Sequence, residues 1–321
     1  MDARLFGIIK TKSPLSHISE AISTNSYLVQ DPILQDDGTL EEVFCYSGNA
    51  LRGQMRDCCS RFMLKHMDRK LGLDSFHLMF SGGKIGGDQV VDIQAAKILR
   101  QNIPVICIFG GGIGNQIIAG KMKFQNIYPV CKEAIPILPR ELCEKAIVRS
   151  YVDMTHEKSF TRMDDAKNDL NGDYISKKQE KPNEPDEKKK KEVSDQMRMT
   201  SELIAAGVEL YSVIDLVGVT EIEIGALLSG FYEFAIAPYI GGQSNKGHGY
   251  VDLNYAFISD GKLDSNFISI LDGKLNLSNE ALGYVSKYTA ILDRTKTEFI
   301  ADESIIDKGK IEKVMTEFWG S

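Results

Sequence analysis

Several things are scarce in this sequence, and each scarcity removes a class of protein. Nowhere in the 321 residues is there an apolar run long enough to cross a bilayer as a helix. Residues 1–12 lack the small-residue cleavage site of a secretory leader. The six cysteines are scattered, Cys58 and Cys59 being adjacent, and none forms a C-x-x-C pair. That spacing argues against a zinc site and suits reduced thiols in a cytosol. Cations are outnumbered: 38 lysines and arginines face 45 acids, a net charge of −7 with a pI near 5.4. Taken as a sum this opposes nucleic-acid binding, but charge acts by face and not by total. A hydrophobic fraction of 43% supports one large domain or a domain with sizeable insertions. The expectation is a soluble, cytoplasmic protein without a membrane partner.

The most informative stretch runs Tyr46-Ser47-Gly48-Asn49-Ala50-Leu51-Arg52-Gly53-Gln54-Met55-Arg56-Asp57. Gly48 permits a tight turn, and Asn49 is a good N-cap because its side-chain oxygen can accept from the first helical turn. Leu51, Met55, Cys58 or Cys59, and Phe62 follow at three- and four-residue spacing, as on an amphipathic helix. Arg52 and Arg56 lie four apart, so both leave one side of the helix near its start. Helix N–H groups, the positive end of the helix dipole and two guanidiniums would then converge as a phosphate site requires. An amphipathic helix with arginines on its polar side is the alternative.

Glycine-rich runs punctuate the rest. Residues 5–12 read as a strand, and Asp36-Asp37-Gly38 is a turn returning the chain into 42–46. The glycines at 82–87 and 110–114 could approach a phosphate, but neither run sits in a Walker or Rossmann context. A dinucleotide fold also needs an acid ending the next strand; Glu133 is near that distance, but Pro129 spoils the strand before it. A helix over 92–101 stops before Pro104. From 167 to 191 apolar residues nearly vanish, and through 177–192 lysines interleave with Glu180, Glu184, Asp186 and Glu187, as in a solvated loop. Its flanks, 151–165 and 193–200, can pair as a long hairpin. Further on, 207–217 alternates with Val208, Leu210, Ile214 and Leu216 on one face and Ser212 as the polar exception. Thr220 and Glu223 form a capping box before a helix facing Ile224, Leu227, Leu228 and Phe231 inward. A loop with four glycines at 241–249 then leads into a strand over 250–257. Strand, helix, loop and strand make half of a ferredoxin-like fold. Helices are expected over 279–292 and 302–319.

Gly48-Asn49-Ala50-Leu51-Arg52-Gly53 resembles the glycine–small–Leu–Arg/Lys–Gly element of the RAMP superfamily, the RNA-binding proteins of CRISPR effector complexes. Pro14-Leu15-Ser16-His17-Ile18 is similar to the segment that follows the first strand there, and the 241–249 loop to the C-terminal glycine-rich signature. Ile108-Phe109-Gly110 with Gly120-Lys121-Met122, and Thr161-Arg162-Met163-Asp164-Asp165-Ala166-Lys167, resemble elements of type IV backbone subunits of the Cas seven family. Type III backbone subunits are the next nearest relatives.

The resemblance implies an α+β fold: a ferredoxin-like (RRM-like) antiparallel sheet with helical insertions and a protruding thumb hairpin. The palm would occupy 1–150 and 201–257, the thumb 151–200 with a charged tip at about 168–192, and a helical extension 258–321. It implies RNA-facing roles for His17, Asn49, Arg52, Arg56, Lys121, Lys123, Arg162, Gly242, Lys246 and His248. Met154, Phe160 and Met163 would be the thumb's wedges between bases. The implied partners are guide RNA, a complementary target nucleic acid, copies of this chain joined head to tail, and other CRISPR effector subunits. No cofactor is expected.

Two further readings remain. Type III relatives cut target RNA with a metal-assisted aspartate after the first strand, and here Asp31, among Glu20, Asp36 and Asp37, is the candidate, with Mg2+ as the metal. The family's glycine after His-Ile is replaced by Ser19-Glu20, so no catalysis is the expectation. A nucleotide-using α/β enzyme built on 82–87 or 110–114 is the third reading.

Overall fold

The structure, a computed structural model, describes residues 1–83, 92–161, 198–297 and 308–320. Expectations for Arg162, Met163, the charged tip and the glycines at 84–87 lie outside the described residues.

The frame is an antiparallel sheet built on β1 (Ala3–Thr11). β12 (Glu209–Leu216) pairs along one side of it and β13 (Val251–Ser259) along the other. β8 (Met122–Phe124) adds outside β12. Between β1 and β8 runs α1 (Gly48–Met67), and between β12 and β13 runs α6 (Glu221–Ile236). These six elements are a βαββαβ unit with strand order fourth, first, third, second, which is the ferredoxin-like arrangement.

Period-two burial decides which face of the sheet the helices cover. Leu5, Ile9 and Ile214 are fully buried under α1 and α6, where they meet Met55, Leu227 and Phe231. Ser212, the polar exception in its strand, points into the same core, and the Tyr255 hydroxyl donates to it at 2.8 Å. The capping box on α6 forms as expected: the Thr220 hydroxyl accepts from the Glu223 N–H, and the Glu223 carboxylate accepts from the Thr220 N–H.

A second sheet stands beside the first. β10 (Thr155–Thr161) and β11 (Arg198–Ile204) form an antiparallel ribbon, with Thr155 opposite Ile204 and Thr161 opposite Arg198. β11 then runs parallel to β3 (Asn25–Leu28), which pairs with β2 (Ile18–Ile22). The ribbon is rooted in the main sheet. The Thr11 hydroxyl donates to the Ala205 carbonyl at 2.8 Å, and the Ala205 N–H donates to the Met154 carbonyl at 2.8 Å. β4 (Gln30–Leu34) and β5 (Leu40–Phe44) form the hairpin around the 36–38 turn.

Three expectations change. Asn49 is not the N-cap of α1: Ser47 holds that position, and Asn49 is exposed in the first turn. Residues 104–109 form a short helix, α4 (Pro104–Phe109), after α3 (Ile93–Asn102), and the 110–114 glycines open a hairpin of β6 (Gly111–Ile113) and β7 (Gln116–Ile118). A strand–glycine–helix turn for a dinucleotide is therefore not what this run builds. Finally, the segment after β13 is not purely helical. β14 (Lys262–Leu271) and β15 (Lys274–Leu277) extend the sheet before α7 (Asn279–Thr297) and α8 (Lys308–Trp319). Their turns, Asp260-Gly261 and Asp272-Gly273, have positive φ at all four residues (49°, 75°, 49° and 75°), as two-residue hairpins with a primed turn require.

Candidate nucleic-acid interface

The segments that carry the sequence motifs meet at one place, where β1 ends, α1 begins and the 241–249 loop returns to the sheet. The loop is fixed at both ends by backbone bonds. The Gly242 N–H donates to the Ser16 carbonyl at 2.7 Å, and the Gly249 N–H donates to the Pro14 carbonyl at 2.8 Å. The Gly241 N–H donates to the Tyr46 hydroxyl at 3.2 Å, which ties the loop to the entry of α1. Gly249 is obligatory here: its φ is +86°, and an added Cβ would stand 2.0 Å from the Ile240 carbonyl oxygen. Between these anchors the Ser244–Lys246 turn is exposed, and a Cβ added at Gly242 would meet nothing closer than 3.9 Å.

β10 passes beside this loop. The Lys246 ammonium lies 3.8 Å from the centroid of the Phe160 ring, a cation–π contact. His156, Lys158 and Phe160 alternate along β10 and so share one of its faces. His248 is buried at 5% exposure, and its Nδ1 has no hydrogen-bond partner. Burial first, and then the neighbouring Lys158, Lys246 and His156, push its pKa below the ordinary histidine value. The Ser16 hydroxyl, fully buried, and the Gln243 amide oxygen are likewise buried without partners. Buried polar atoms without partners are uncommon, and three of them belong to this one loop and its contact segment. Together they form a cationic, hydrogen-bond-hungry rim with an aromatic ring in it.

Several residues expected to face RNA are instead used inside the fold. His17 accepts the Ser47 N–H on Nε2 at 3.2 Å, and its ring lies 4.6 Å from that of Tyr46. Burial lowers its pKa, so it serves as a neutral acceptor with the proton on Nδ1. The Gly48 N–H is taken by Asn126 Oδ1 at 3.0 Å. These two bonds occupy N–H groups at the entry of α1 that a phosphate site would have used. Arg52 and Arg56 turn the other way. Arg56, 5% exposed, donates to the carbonyls of Phe109 and Gly110, each at 2.9 Å, and Arg52 also donates to the Phe109 carbonyl. They clamp the turn between α4 and β6. Lys121 pairs with both carboxylate oxygens of Glu223 at 2.8 Å, so it supports the α6 cap. Met154 is buried at the root of the ribbon and cannot wedge between bases. Lys123 is exposed on β8 opposite Asp215, away from the loop's anchors.

Asp31, the candidate metal ligand, is also engaged. It accepts from the Tyr128 hydroxyl at 2.8 Å and from Asn126 Nδ2 at 3.0 Å. Partial burial would raise its pKa, but the bonds from Cys45, Tyr128 and Asn126 outweigh that and hold it below the usual carboxylate range. Its carboxylate orients Asn126, which in turn caps α1. Among the described residues, no group of three His, Cys, Asp or Glu side chains is placed to hold a metal ion.

His156, Lys158, Ser16 and Gln243 are not singled out by the sequence. The alternation His156-x-Lys158-x-Phe160 is the available signal. The two buried orphans become visible only once the loop is folded onto residues 14–16.

No protein-family model matches the chain, and no curated protein matches it. Among solved structures, the chain is similar in fold to a component of an assembly described as a "Type IV-B CRISPR Complex", with a TM-score of 0.52 and 18% identity over 78% of this chain and 90% of that one. Among the described residues, no helix is long and apolar enough to cross a membrane.

Proposed function

We propose that this protein is a guide-RNA-binding, filament-forming backbone subunit of a CRISPR effector ribonucleoprotein of type IV. The observation that carries the reading is the convergence of residues 14–17, the entry of α1 and the 241–249 loop beside the β10–β11 ribbon, within a fold shared with a chain of such an assembly. In this reading the ferredoxin-like sheet is the palm and the ribbon is the root of the thumb. RNA lies along the rim of Gly242, Lys246, His248, Lys158 and Phe160. It is held through its phosphates and one stacked base, because a guide-holding protein must accept any sequence. Identical subunits repeating head to tail along one guide give an open helical assembly. A complementary target strand and other effector subunits complete the complex, which works in the cytoplasm without a resident cofactor.

The expected result is that the chain purified without nuclease treatment carries RNA and forms elongated particles. Lys158→Glu combined with Lys246→Glu should weaken binding of a fluorescent single-stranded RNA at least a hundredfold at low salt and flatten its salt dependence, while thermal stability stays close to the parent. Both side chains are on the surface, so the fold does not depend on them. A nucleic-acid-free monomer that also ignores added RNA sinks the reading.

A further inference from the structure

One feature of the rim is not explained by simple phosphate attraction. His248 sits among cations with its Nδ1 buried and unpaired, and Ser16, the residue whose carbonyl anchors Gly242, hides an unpaired hydroxyl. A Cβ at Gly242 would stand 4.0 Å from that hydroxyl, so the backbone between them leaves open space. The charged groups acting on His248 are Lys158 and His156 from β10 and Lys246 from the loop itself. Residues 13–16, packed against it from the end of β1, carry no titratable side chain. In this setting a positive imidazolium is disfavoured, and an arriving anion reverses the sign of the local field.

We propose that the 241–249 loop and the β10 stripe form a proton-linked seat for one phosphodiester group, in which His248 Nδ1 and Ser16 Oγ donate to phosphate oxygens and the imidazole takes up a proton as the phosphate enters. The inference rests on the RNA-binding reading and adds its regulation. Without ligand, Lys246 rests on the Phe160 ring, and the orphan atoms of His248 and Ser16 are buried without partners. Entry of RNA moves Lys246 from the ring to the phosphate and frees Phe160 to stack on a base. One proton passes from solvent to His248 Nδ1 in the same step. No bond to phosphorus forms or breaks.

The consequence is a definite pH dependence. Because the bound state favours protonated His248 and the free state opposes it, RNA affinity rises as pH falls. Binding of a labelled single-stranded RNA is expected to be several-fold tighter at pH 6 than at pH 8. That is less than the full factor by which RNA raises the proton affinity of the imidazole, since the factor is expressed in full only below both the free and the bound pKa. His248→Gln should weaken binding at both pH values and abolish most of the difference between them, and His156→Gln should leave the difference in place. NMR titration of the His248 ring in the parent protein tests the proton uptake directly, even where a variant fails to fold. Its pKa should rise when RNA is added. Equal pH dependence in the parent and in His248→Gln, or an unmoved His248 pKa in the complex, overturns the seat. If RNA does not bind at either pH, the RNA-binding reading fails, and inorganic polyphosphate then decides the seat: a rise in the His248 pKa supports it, and no rise overturns it.

Discussion

Arg56→Met is expected to lower the folding stability by about 3 kcal/mol, read as a shift of the urea midpoint. The side chain is buried at 5% exposure, and its removal strands the Gly110 carbonyl and leaves that of Phe109 with Arg52 alone, both having been taken out of water. Each such orphan costs on the order of 1 to 3 kcal/mol. The guanidinium stays charged at neutral pH, although burial and the nearby Arg52 bring its pKa down to about 10. Methionine restores most of the packing volume but neither hydrogen bond. Arg56 also lies under Gly82, where an added Cβ would come 2.4 Å from its Nη1, so it tightens two glycine turns at once. Arg52→Met, at a half-exposed position, should cost about 1 kcal/mol. If Arg56→Met unfolds at the parent midpoint and instead loses RNA, the clamp is wrong and the helix-start phosphate site is right. Charge reversal at these arginines is consequently a poor test of RNA binding, since loss of the fold would look like loss of the ligand.

The second large effect concerns Gly7, in the middle of β1. A Cβ there would stand 1.9 Å from the carbonyl oxygen of Asn254 and 2.9 Å from the Tyr255 Cα, both backbone atoms of the neighbouring strand β13. Neither can rotate away. Gly7→Ala must push β13 off β1, at the centre of the main sheet, and should cost about 3 kcal/mol or leave the protein insoluble. Gly53→Ala makes the informative contrast. Gly53 lies inside α1, is exposed, and has nothing within 4 Å of an added Cβ. Alanine there should stabilise the helix by about 0.5 to 1 kcal/mol. Gly7→Ala unfolding within about 1 kcal/mol of the parent would show that the two strands have slack that their register denies.

The sequence makes some parts of this fold readable and hides others for physical reasons. The ferredoxin-like half is legible because its signals are local: alternation through Leu210 and Ile214, the Thr220–Glu223 box, and the inward stripe from Ile224 to Phe231. The β14–β15 hairpin escapes sequence reading although Asp-Gly pairs announce both turns, because its strands alternate weakly and carry many polar residues. The arginine spacing correctly places both side chains on one side of α1. Which carbonyls wait on that side is a tertiary fact, set by α4 folding back beneath it. Lys121 is the same case, since its partner Glu223 is about a hundred residues away in the chain, at a helix start. Local pattern shows that Lys246 sits in a glycine loop, but not that an aromatic ring lies beneath its ammonium.

The placement of β1 at the centre of the main sheet has a consequence for synthesis. Lys10 is paired with Glu209, and Ala3 is paired with Ser259, so this strand is completed by partners synthesised long after it. At about 5 to 20 residues per second, a ribosome needs roughly ten to fifty seconds to supply those partners. During that interval Leu5, Ile8 and Ile9 have no native neighbours on either side, and the nascent chain carries an unpaired apolar edge suited to chaperone capture.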